Sequence, residues 1–344
     1  MRRHARSLSQ SFAALLACWF ITGCGGGVSE PPDEQTQVVC DVATSRCYSR
    51  LRIAPGAFLP LYSSYALDTR NERVTHAIIM VHGANRDADA YFTTTVVAAR
   101  GADRLNETLI VAPHFQKAED EPRADEPIWT EEGWKRGHLS VTGRQPPRVS
   151  SYAALDRIVE VITDGALFPN ITRVVVAGHS AGGQVVHRYA AGSRAENTAR
   201  SSVAFRYAVA NPSTYLYLGP ERPHGDSFAV PDTAACPGWN DWHYGLSGLN
   251  SYMDAVPAAT VTANLSQRDV HILIGDGDTG SAQLDVSCGA NLQGAHRFER
   301  GRLLVRYMDY RFPGHGHAEE IVPDVAHSSR GMFTSTAGAR ALFQ

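Results

Sequence analysis

The chain carries one short segment that restricts its fold more than any other: Gly178-His179-Ser180-Ala181-Gly182-Gly183. A β-branched run, Ile171-Thr172-Arg173-Val174-Val175-Val176, leads into it, and a helix-like stretch from Gln184 to Tyr189 follows. A serine between glycines at a strand-to-helix turn is the setting of a nucleophile elbow. The turn is too sharp for ordinary side chains beside it. Small residues at positions 178 and 182 let strand and helix pass close, so that Ser180 Oγ is presented at the end of a sheet. The Ala181 N–H then points to where an oxyanion would form. A glycine-rich connection with an incidental serine would not require the strand before it and the helix after it.

The rest of the chain alternates in the same way. Ala77-Ile78-Ile79-Met80-Val81, Leu109-Ile110-Val111-Ala112, Phe205 to Ala210, Val270-His271-Ile272-Leu273-Ile274 and Ala318 to Val322 read as strands. Their unbroken apolar character is that of strands buried on both faces. Helical spacing appears at Ala88 to Ala99, Tyr152 to Ile162, Phe298 to Met308 and Gly331 to Phe343. Such alternation argues for a mostly parallel sheet with helices on both faces. Residues 51–67, broken by proline, read as edge strands. Residues 116–148 form a long charged loop with Trp129 and Trp134, and loops of that length in a compact domain are usually functional. Residues 219–268 are irregular and aromatic and read as a cap-like insertion. With 344 residues, 43% of them hydrophobic and 19% charged, a large core is affordable. A net charge of −3 and the lack of a basic stripe exclude nucleic acid as the partner.

The first residues read as a targeting segment. Arg2, Arg3 and Arg6 precede an apolar run from Phe12 to Ile21, too short for a lasting membrane span. Ile21-Thr22-Gly23-Cys24 then resembles a bacterial lipobox, which makes residues 1–23 a lipoprotein signal peptide and Cys24 the lipidated residue. An ordinary cleaved signal with an incidental Cys24 is the other reading. Residues 24–39, rich in glycine, proline and acids, form a flexible tether, and 40–344 the catalytic domain. The chain is thus expected to be exported, and either lipid-anchored to the cell envelope or secreted. Four cysteines remain in the domain. Cys40 with Cys47 is the local pairing, which leaves Cys236 with Cys288.

An elbow serine needs a base, an orienting acid and oxyanion donors. In a parallel sheet they gather beyond the carboxyl ends of the strands. Asp276 and Asp278 both follow the strand 270–274, in Gly275-Asp276-Gly277-Asp278. Asp278, further out on the turn, is preferred, and Asp276 stays open. Of the histidines downstream, His296 opens a helix, while His315 and His317 precede the strand 318–322. Only His327 follows it. His315-Gly316-His317 lacks ligand partners at metal spacing and reads as a polar loop. His82-Gly83-Ala84-Asn85 follows the strand 77–81 and supplies the Ala84 N–H as second oxyanion donor beside Ala181. Asn85, Trp134, Asn211, Trp239, Trp242 and Tyr244 are expected to line the substrate pocket; for the aromatic residues, plain packing of the insertion is an equal reading.

Taken together, His82-Gly83-Ala84-Asn85, Ser180 in its elbow, Gly275-x-x-Asp278 and Val322-Pro323-x-x-x-His327 resemble the α/β-hydrolase superfamily in kind and in order. The likeness runs from about residue 70 to 344. Val322 to Phe333 is similar to the closing segment of bacterial exported esterase-like hydrolases, polyester depolymerases among them. The resemblance implies an α/β-hydrolase fold and hydrolysis of a carboxylic ester by Ser180, His327 and Asp278 through an acyl-enzyme, with no cofactor and no metal. The substrate would be a small-molecule or polymeric ester. A peptidase, amidase or thioesterase on the same fold is the enzymatic alternative, and a non-catalytic binding protein the remaining one.

Overall fold

The computed structural model describes residues 38–143 and 146–344. The expected signal peptide, Cys24 and nearly all of the expected tether lie outside them. Eight strands form one sheet: β1 Tyr48–Ala54, β2 Ala57–Ser63, β3 His76–Val81, β4 Thr108–Pro113, β5 Arg173–His179, β6 Ala204–Ala210, β7 Val270–Gly275 and β8 His317–Val322. Their order across the sheet is β1-β2-β4-β3-β5-β6-β7-β8. The first three pair antiparallel and the rest parallel. The expected mostly parallel sheet flanked by helices is therefore present.

Strand alternation assigns each face its core. Ile79, Val81, Val111, Val174, Val176, Ile272 and Ile274 point to one side. Their chain neighbours Ile78, Met80, Ile110, Val175, Ala177 and Leu273 point to the other. The first face is covered by α2 (Ser151–Ile162), α3 (Ala181–Gly192), α4 (Ala258–Gln267) and α5 (Arg297–Arg311). On the second lie α1 (Ala88–Gly101), α6 (Ser329–Thr334) and α7 (Thr336–Phe343). Each fully buried Val, Leu or Ile contributes about 1.5–3 kcal/mol, so a sheet buried on both faces explains why these strands need no polar alternation.

Three expectations are corrected. β1 is an edge strand but β2 is not, because it lies between β1 and β4. Pro60 is tolerated inside it while its carbonyl still accepts the His114 N–H at 2.9 Å. The segment 219–268 is not one insertion. It contains a hairpin, Arg222–His224 against Ser227–Ala229, irregular turns, and then α4, whose Val261 and Leu265, four apart, are buried on one stripe against the body. The closing helix is two helices, because Ser335 caps the second by accepting the Gly338 N–H.

Both expected disulfides are present, Cys40–Cys47 ahead of β1 and Cys236–Cys288 tying the hairpin region to the segment after β7. Such bonds persist in oxidising compartments. Among the described residues, no helix is long and apolar enough to cross a membrane.

Candidate active site

β5 ends in the expected turn. Ser180 has φ +58° and ψ −118°, a backbone region that costs of order 1–3 kcal/mol for a residue with a side chain. The turn holds because its surroundings fix it: the Ser180 N–H donates to Ala210 O at 2.9 Å, and Ser180 O accepts from Gln184 N at 3.1 Å. The glycines are steric necessities. A Cβ on Gly178 would lie 2.5 Å from the Gly182 backbone, and one on Gly182 would lie 2.2 Å from Val81 O. Ala181 opens α3, so its N–H has no carbonyl partner within the helix.

Two loops meet the serine. His327 Nε2 is 2.9 Å from Ser180 Oγ, and His327 Nδ1 is 2.7 Å from Asp278 Oδ2. The carboxylate can only accept, so Nδ1 carries the proton and Nε2 is left to accept from the serine hydroxyl. Asp278 is 2% exposed. The second glycine of Gly275-Asp276-Gly277-Asp278 has a packing reason. Cβ atoms on Gly275 and Gly277 would lie 2.3 Å and 3.3 Å from Val325 O, so both glycines let the acid loop press against the histidine loop. Asp276 is turned away and accepts the Asp324 N–H at 2.8 Å, which braces the histidine loop from behind. Asn211, expected in the pocket, is a second brace: its Oδ1 accepts from Gly275 N at 2.9 Å and its Nδ2 donates to Ala326 O at 3.4 Å. His317 pairs with Val270, at the opposite end of the strands from Gly275. Burial pushes its imidazole down to about 3.

The loop after β3 is locked by its own histidine. His82 Nε2 accepts from Phe115 N at 3.0 Å, so His82 Nδ1 must be the protonated nitrogen that donates to Gly83 O at 2.9 Å. Burial pushes this imidazole down to about 3, which keeps it neutral and in that tautomer. Arg86, at φ +60°, donates to Ala84 O and pairs with Asp120, tying the loop to the long segment beyond β4. Tyr91 of α1 fills the place a Cβ on Gly83 would take, with its hydroxyl 3.1 Å from His179 Nδ1. The His179 ring lies 4.5 Å from that of His327. Burial, and then the charge of His327, push His179 well below the usual imidazole range.

Ser180 opens into a cleft of about 310 Å³ lined by Gly83, Ala84, Asn85, Asp87, Tyr91, His179, Gln283, His327, Ser328, Ser329 and Arg330. Asn85 lines this cleft; the expected aromatic walls lie elsewhere. Trp134 is fully buried behind the loop, 4.8 Å from the His82 ring. Trp239 lies under the buried Arg222. Trp242 donates to Arg136 O, and Tyr244 bonds Asp285 and Ser287. Trp242 and Tyr244 thus spend their polar edges fastening loops to the body, while Trp134 Nε1 is buried without a partner. Tyr91, Gln283 and Arg330 went unnoticed in sequence. Ser329 and Arg330 directly follow the His327 loop, a nearness sequence could have used; Gln283 has no such signal. Among the described residues no cluster of His, Cys, Asp and Glu could hold a metal ion.

No protein-family profile matches this chain, and no curated protein matches it in sequence. Solved structures do. A poly(aspartic acid) hydrolase-1 from Sphingomonas sp. KT-1 is similar with a TM-score of 0.61 and 24% identity, over 86% of this chain and 98% of that one. A poly(3-hydroxybutyrate) depolymerase from Bordetella parapertussis is similar with a TM-score of 0.59 and 23% identity, over 86% of this chain and 90% of that one. The fold is that of the α/β hydrolases.

Proposed function

We propose that this protein is a serine hydrolase that cleaves carboxylic esters through an acyl-enzyme on Ser180. The observation that carries the reading is the hydrogen-bonded row Asp278–His327–Ser180, closed on a strained turn at the start of α3. His327 takes the serine proton as Ser180 attacks the acyl carbon. Asp278 holds the imidazole in its productive tautomer and stabilises the imidazolium. The Ala84 and Ala181 N–H groups receive the oxyanion. His327 then protonates the leaving alcohol, and water releases the acyl group by the same steps. The same row could serve amides or thioesters. A purely binding role is disfavoured because no member of the row is missing.

The cleft walls support a short or polar acyl group. No aliphatic side chain larger than Ala84 lines it among the described residues. Each methylene that finds an apolar wall is worth about 0.8 kcal/mol, or roughly fourfold in kcat/KM. Lacking such a wall, p-nitrophenyl esters should not gain in kcat/KM from acetate to palmitate. A steady fourfold rise per methylene would refute the polar-cleft reading. The polymer-degrading names of the two similar structures support adding a polyester and poly(aspartic acid) to the same panel.

The export reading rests on residues 2–24. Cys24→Ser should move the protein from the membrane fraction to the soluble one without altering turnover, since one acyl chain alone binds membranes marginally and a multiply acylated cysteine binds firmly. Wild-type and Cys24→Ser protein found in the same fraction would sink the anchor.

A further inference from the structure

The acid of the row has a partner that the proposed mechanism has not used. Arg297 begins α5 and is 1% exposed. Its Nη1 lies 3.6 Å from Asp278 Oδ1, the carboxylate oxygen that His327 does not engage. The helix start is latched to the same residue, because the Phe298 N–H donates to Asp278 O at 3.2 Å. Nη2 of Arg297 donates to Ala282 O at 2.9 Å, and Nε is buried without a partner. Asp278 is the one acid within 4 Å of this guanidinium among the described residues. A buried cation so placed must be neutralised by that carboxylate.

We infer that Arg297 is a positioning residue for the acid of the proposed triad: it pairs with Asp278 Oδ1 from behind and keeps Oδ2 aimed at His327. This rests on the hydrolase reading above. Oδ1 is drawn toward α5, which turns Oδ2 to face His327 Nδ1.

The other groups facing this pair do not substitute for Arg297. Tyr215, from the segment after β6, brings a buried hydroxyl without a partner and no charge. Arg300, one turn further along α5, donates to Ser213 O and Asp285 O. On the far side of His327, the His179 ring is held neutral by burial.

The test is kcat and KM for p-nitrophenyl acetate in Arg297→Met and Arg297→Lys. An acid that drifts from the base slows the chemical step without touching bound substrate, so Arg297→Met should lower kcat by about tenfold or more while KM stays within about twofold. Arg297→Lys should restore most of that kcat. An Arg297→Met enzyme with wild-type kcat, or a loss that Arg297→Lys does not recover, would overturn the proposal. Thermal melting gives a readout that needs neither a folded Arg297 variant nor an ester substrate. Asp278→Asn and His327→Ala both remove the carboxylate–imidazole bond, but only Asp278→Asn strips the buried guanidinium of its counter-charge. It should therefore melt several degrees lower than His327→Ala. Equal melting temperatures would refute the pairing while leaving the hydrolase reading untouched. Loss of the hydrolase reading would instead show as ester turnover that survives Ser180→Ala.

Discussion

Ser180→Ala should lower the kcat for ester hydrolysis by about 10⁶-fold, because a nucleophile that acts as a unit with its base and acid takes nearly the whole covalent pathway with it. What survives comes from the oxyanion donors and binding alone. The fold should not notice. Alanine loses only the Oγ bond to His327 Nε2; the turn itself is held by the backbone bonds to Ala210 and Gln184 and by the glycine contacts, which alanine keeps. The variant should melt with the wild type. A fluorophosphonate should label the wild type at residue 180 and leave the variant unmarked. Turnover in purified Ser180→Ala above a few per cent of wild type would end the assignment of the nucleophile.

The parts of the candidate site that were legible in sequence are those fixed by strand ends. Ser180, Asp278 and His327 each follow a strand, and a parallel sheet brings the ends of β5, β7 and β8 to one rim. The glycines of the elbow were legible for the same local reason: close backbone approach leaves no choice of residue. Side chains whose role depends on contacts across the chain were not. Trp239, Trp242 and Tyr244 look like pocket walls by composition, yet nothing local shows that Trp239 lies under Arg222 or that Trp242 reaches Arg136 O. Tyr91 and Arg297 sit at ordinary helix positions; only the packing of α1 under the Gly83 loop and of α5 behind Asp278 gives them a place in the site. The same limit explains β2. Its proline suggested an edge, whereas its place between β1 and β4 comes from pairing with residues some fifty positions away.

The choice of base and acid has the second large expected effect, and two decoys make it testable within one chain. His327→Ala should abolish turnover to within the residual level of Ser180→Ala, because either loss disables the same unit. His317→Ala should retain most activity. His317 opens β8 beside Val270, while Ser180 stands at the other end of the sheet, beyond Gly275. Both His317 ring nitrogens are buried without partners, so alanine removes no bond from the site. The acids divide in the same way. Asp278→Asn leaves an amide that can donate to His327 Nδ1 and so favours the wrong tautomer, a change worth about 10⁴ in kcat in a well-studied serine protease. Asp276→Asn keeps an oxygen that can still accept the Asp324 N–H and should cost less than tenfold. Rates for the four variants on one substrate decide all of this together. Activity lost in His317→Ala and kept in His327→Ala would mean that the base approaches Ser180 from the opposite end of β8. Activity lost in Asp276→Asn and kept in Asp278→Asn would move the acid to the residue that braces the histidine loop.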